Sequence, residues 1–154
     1  MKKIFHVGKT TNTTDLALLI ARAGIACLML THGIPKLLML LSGDPIQFPP
    51  VLGMSAAQSL ALAVLAEVVC SVLLLAGLAT RLAAVPLIVT MLVAAFGVHA
   101  ADPLSVKEPA LQYLLAYTVL LVAGGGKYSA DYVLGRRLSL SHNRLQDPGA
   151  SIYS

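Results

Sequence analysis

Four long apolar runs, over residues 16–41, 56–79, 82–101 and 109–126, leave this chain few ways to fold. At ~1.5 Å per residue, a helix over each can cross a hydrocarbon core of roughly 30 Å, the first with tilt or a kink and the last only just. In lipid every backbone polar group has to be satisfied internally, and runs this long without period-two alternation form helices rather than barrel strands. Composition agrees: 57% of the 154 residues are hydrophobic and 12% charged, and the mean hydropathy of +0.81 exceeds what a soluble domain carries. The expected fold is therefore all-α, an integral membrane four-helix bundle in residues 1–126 followed by a cytoplasmic tail over 127–154.

Charge orients it. An even number of spans puts both termini on one side, and Lys2, Lys3, Lys9, Arg22, Arg81, Lys127, Arg136, Arg137 and Arg144 then share that side, against Lys36 and Lys107 on the other. Positively charged flanks stay in the cytoplasm, so the chain reads N-in and C-in. Lys2, Lys3 and Lys9 before an apolar stretch imitate a signal peptide, but Arg22 interrupts that stretch and it continues past Lys36, which favours an uncleaved first span. In the tail, Tyr132, Val133, Leu134, Leu138 and Leu140 interleave with Arg136 and Arg137, the pattern of a short amphipathic helix on the inner surface, with disorder expected beyond Ser141.

Local signals place the ends of the helices. Asp15 is the expected cap of the first, Ser55 with Gln58 forms a capping box for the second, Thr80 caps the third, and Gly124, Gly125 and Gly126 close the fourth. Between the first two spans, Pro45, Pro49 and Pro50 forbid a regular helix, so residues 42–54 are expected to lie at the outer interface or fold over the bundle mouth. The basic residues edge the apolar runs and form no aromatic-interleaved patch, which excludes nucleic acid as a partner. Cys27 and Cys70 make neither a disulfide framework nor a metal pair. Arg22 is expected to snorkel to lipid phosphate, and Gly24, Ala61, Ala63 and Ala66 permit close helix packing or a homo-oligomer.

Polar groups within the spans are the functional candidates, because such groups are costly in lipid. His32, His99, Gln112 and Tyr113 come from three runs at similar depth, within roughly two turns of the outer boundary. His32 shares a face with Lys36, and Tyr113 with Tyr117. Pro35 is expected to kink the first helix and turn His32 inward, towards Glu67 near the middle of the second. The reading is an outward-facing cavity in which His32, Glu67 and His99 do the chemistry and His32, Lys36, Gln112, Tyr113 and Tyr117 hold a cofactor. Histidine with carboxylate and tyrosine suits proton exchange and hydrogen bonding to a quinone. Haem or a transition metal on the two histidines is an alternative, although no CxxCH or HExxH motif accompanies them. A non-catalytic membrane scaffold or a small-solute transporter would use the same cavity for binding alone. Within the cavity, His32 is expected to couple to Glu67 more strongly than Lys36 does.

In three blocks the chain resembles the DoxX family of small bacterial inner-membrane proteins. ARAGIACLMLTHGIPKLL carries Arg22, Gly24, His32, Gly33 and Lys36; EVVCSVLLLAGLATRLAA carries Glu67, Gly77, Leu78, Thr80 and Arg81; GGGKYSAD carries Tyr128, Ser129 and Asp131. The resemblance implies a four-helix protein of the inner membrane associated with redox chemistry. It also implies partners among membrane or peripheral redox proteins, as in relatives that resemble subunits of thiosulfate:quinone oxidoreductases.

Overall fold

The structure, a computed structural model, describes residues 11–136, and among them every regular element is helical. Helix α1 spans Thr11–Leu41, α2 Ala56–Ala76, α3 Thr80–Val98 and α4 Leu104–Ala123, with a short helical stretch over 130–136. The first three are long and apolar enough to cross a membrane. Helix α4 falls short of them because Lys107, Glu108 and Gln112 occupy its first half. The outer surface is apolar: Ile20, Leu38, Leu82, Phe96, Leu115 and Val122 are all exposed, as expected where lipid rather than water is the solvent.

Contacts run in a ring, α1 on α2, α2 on α3, α3 on α4, and α4 back to α1. Each helix contributes a stripe at alternating spacings of three and four. On α1 it reads Arg22, Ala26, Met29 and Gly33, all buried; on α4 it includes Tyr117 and Leu120. Such spacing keeps one face of a 3.6-residue helix towards its neighbours. Gly33 marks the closest crossing of α1 and α2, where an added Cβ would stand 2.9 Å from Val68 Cγ2 and 3.1 Å from the Glu67 backbone carbon.

Two helices are interrupted by π-helical turns, Leu65–Cys70 in α2 and Ala94–Val98 in α3. Each accommodates an i→i+5 backbone bond, a feature that recurs at functional sites. The first carries Glu67 and the second leads directly into His99.

The end signals hold in part. Ser55 and Gln58 form the full capping box, and Gly124 at φ 79° ends α4. Asp15 does not cap α1 but lies inside it, its Oδ1 accepting the Lys127 N–H at 3.1 Å. Thr80 does not cap α3 either: its hydroxyl makes no hydrogen bond, and the orphan N–H groups of Ala79 and Thr80 donate instead to Asp131 Oδ1 and Oδ2 at 2.6 and 2.9 Å. Of the expected tail helix, Tyr132, Val133 and Leu134 fall in the 130–136 stretch and are exposed, while Leu138, Leu140 and the expected disorder lie outside the described residues.

Candidate functional site

At one end of the helices, the loop between α1 and α2 folds over the space between α2 and α3. Phe48, Pro49, Val51, Leu52 and Met54 from the loop, Leu62, Ala63 and Glu67 from α2, and Val89, Val93, Val98 and His99 from α3 and its end enclose a cavity of about 430 Å³. The loop is pinned by the Val51 N–H donating to Ser59 Oγ at 3.1 Å, and Lys36 lies 5.9 Å from the centre of the Phe48 ring. The covering of the bundle mouth expected from the proline-rich segment is therefore present.

Five polar residues line this cavity, of which Lys36, Glu67 and His99 are ionisable and Ser59 and Thr90 carry hydroxyls. Lys36 Nζ donates to Glu67 Oε1 at 2.5 Å, and the carboxylate side chain is only 2% exposed. Glu67 Oε2 makes no hydrogen bond. His99 Nδ1 pairs with Asp102 Oδ2 at 2.7 Å, which orients the ring and leaves Nε2 for another partner. A charged pair with one unpaired carboxylate oxygen, set in largely apolar walls, can bind and orient a compact polar group and exchange a proton with it.

The remaining expected residues do not join this cavity. His32 does not pair with Glu67. It is exposed and meets Tyr113 edge-on, with ring centroids 5.8 Å apart, and Tyr113 stacks at 6.0 Å on Tyr117. The reason is helical phase: Gly33 faces Glu67, Lys36 three residues later shares that face, and His32 is turned about 100° away. Gln112 is exposed and donates to Glu108 Oε1 at 3.0 Å. Tyr117 is fully buried on the other side of Glu67, beside Ser71, and neither hydroxyl makes a hydrogen bond of normal geometry. Cys27 is exposed and Cys70 buried, so the two thiols stand in different environments. Among the described residues no three His, Cys, Asp or Glu side chains come together as a metal site.

The opposite end holds a second polar assembly that sequence reasoning did not find. Arg22 does not snorkel; it is 1% exposed, and Nη2 donates to the Tyr128 carbonyl at 2.9 Å. It packs on Gly77, where an added Cβ would fall inside the guanidinium. Gly77 ends the regular part of α2 in the left-handed region at φ 69°, with the Leu78 N–H bonding Leu73 and its own N–H bonding Leu74. This satisfies the last carbonyls of α2. Asp131 closes the assembly by donating its N–H to the Gly77 carbonyl at 2.9 Å while its carboxylate caps α3. Burial would raise the Asp131 carboxyl, but the N–H groups of Thr80 and Ala79 and the Arg22 charge together hold it below the ordinary carboxylate range.

Arg22, Gly77 and Thr80 of one end and Gly33, Lys36 and Glu67 of the other all fall within residues 17–100, the part of the chain that matches the DoxX family. The chain belongs to the DoxX family. Neither the comparison with curated proteins nor that with solved structures yields a match. The DoxX match takes in all three ionisable residues of the cavity, whereas Gln112, Tyr113 and Tyr117 lie beyond it. The pairing of "His-Gly" in the first block marks Gly33 as the contact and His32 as its neighbour, a signal legible only once the crossing partner is known.

Proposed function

We propose that this DoxX protein is a membrane subunit of a quinone-linked redox system, serving thiol or thiosulfate oxidation or the response to oxidative stress. The observation that carries the proposal is the Lys36–Glu67 pair in the wall of a largely apolar cavity, its carboxylate buried with one oxygen unpaired and its ammonium partly exposed. The size fits, since small-molecule sites fall in the range of roughly 300–1,000 Å³. The Lys36 ammonium is the donor for a quinone carbonyl, Glu67 Oε2 the acceptor for a hydroxyl, and His99 Nε2 a second group at the rim. A bound quinone supplies two-electron, two-proton chemistry; the chain's own residues bind its head, exclude water and hold protons at Glu67 and His99. Electrons then come from a partner redox protein.

The proposal takes α4 as a fourth span, its polar first half at the outer interface, and both termini in the cytoplasm of the inner membrane. The cavity then opens at the outer end, on the side of Lys36 and Lys107. The test is quinone binding by the protein purified in mild detergent. Bound quinone in the wild type, lost in Lys36→Met, supports the reading; protein that neither carries nor takes up quinone refutes it. A second reading, a non-catalytic scaffold, draws on the close contact at Gly33, where Lys36 and Glu67 tie α1 to α2. It predicts that Lys36→Met loses stability while no quinone binds to either form.

A further inference from the structure

A second space borders the apolar wall of the cavity. Pro49, Val51, Leu52, Val93 and Val98 line both, and the second, of about 620 Å³, is completed by Pro50, Leu92 and Gly97. This groove runs between the proline-rich loop and the second π-helical turn, and no charged or hydrogen-bonding side chain lines it. Its outer rim is lipid-facing in character: Leu52, Leu92 and Val98 are exposed, as is Phe96 beside it. Gly97 leaves the floor open, because a Cβ built there meets nothing nearer than Val93 Cγ1 at 3.7 Å. The polar head space and the apolar groove are thus adjacent, sharing five wall residues, with the ion pair in the first and only apolar residues around the second.

We infer that the cavity is loaded sideways from the bilayer, and that its ligand is an amphiphile whose compact head reaches Lys36 and Glu67 while a long isoprenoid chain lies in the groove beside Gly97. A water-soluble solute would have no use for a lateral groove without a polar side chain, and a chain left in bulk lipid would need no groove beside the head space. The inference rests on the quinone reading for the chemistry of the head and adds the route and the tail. The two π-helical turns, one bearing Glu67 and the other flooring the groove, then shape the two halves of one site.

The experiment compares two quinones with the same head, one with an isoprenoid chain and one without, titrated against the full-length protein in lipid nanodiscs at matched concentrations in the membrane. Gly97→Leu fills the groove and is expected to raise the Kd of the tailed quinone by about tenfold, the effect of overpacking a fitted space. The tailless quinone should change less than about threefold, well under that effect. Leu92→Trp, on the groove but outside the head cavity, repeats the test without altering the π-helical turn, and Gly97→Ala should behave as wild type. Equal weakening of both quinones, or of neither, in folded variants overturns the inference and leaves head binding intact. If the wild type binds neither quinone, the head reading and this inference fall together.

Discussion

The two ends of the helices bury charge in opposite ways. At the Arg22 end, Tyr128 accepts one guanidinium hydrogen bond, Gly77 packs against the group and Asp131 acts on it only through its charge, while Nε and Nη1 are buried without a hydrogen bond and Arg22 lines neither the cavity nor the groove. At the Lys36 end, a single ion pair lines a cavity, and Glu67 Oε2 is buried without a hydrogen bond. Both charges leave hydrogen-bonding capacity unused, but one packed against backbone holds elements in place, whereas one that lines a cavity is positioned for a ligand. The comparison teaches that within one membrane protein an intramembrane charge is not by itself a sign of function; what distinguishes the two is whether the charged group lines a cavity.

The largest expected effect tests the closed end. Gly77→Ala places a methyl inside the Arg22 guanidinium and forces a non-glycine residue to φ 69°. The left-handed conformation and the lost charged hydrogen bond together should cost about 3 kcal/mol or more. Alkylation of buried Cys70, followed in a Cys27→Ser background during detergent unfolding, reads this out. A variant as stable as wild type would mean that Arg22 and Gly77 are not locked together.

Next comes the open end. Lys36→Met should cost about 3 kcal/mol by leaving the Glu67 carboxylate buried without its cation, and adding Glu67→Gln should recover about 1–3 kcal/mol of it. His32→Gln combined with Glu67→Gln should be additive within about 0.5 kcal/mol, since His32 contacts Tyr113 instead. Coupling between His32 and Glu67 larger than that between Lys36 and Glu67 would reverse the assignment.

The smallest effect concerns the cap of α3. Asp131→Asn should lose about 1 kcal/mol, as for other N-cap substitutions. Because the folded carboxyl is held below its ordinary value, the contribution of Asp131 is complete above about pH 4 and disappears as the pH falls through that lower value. The gap between variant and wild type should therefore close in acid. A gap that stays constant from neutral pH into that range would show that the carboxylate charge is not what holds the cap.

From its sequence alone, this chain specified an all-helical fold, three of its membrane-length helices, the capping box at Ser55 and the glycine stop at Gly124, because each depends on residues adjacent along the chain. Run length, capping pairs and glycine placement are local properties, and helix formation in lipid is forced by the backbone's own hydrogen bonds. The three family blocks were visible too, but the partners expected for Arg22, His32, Glu67 and Thr80 were not the ones the fold supplies. Tertiary structure decided the partners. Whether Glu67 meets His32 or Lys36 turns on a rotation of about 100° between neighbouring residues, with Gly33 packed against Glu67 and Val68 of α2. Whether Thr80 or Asp131 caps α3 turns on a contact across 51 residues of chain. Depth along a helix can be counted from sequence, whereas the direction a side chain faces depends on which helix arrives against it.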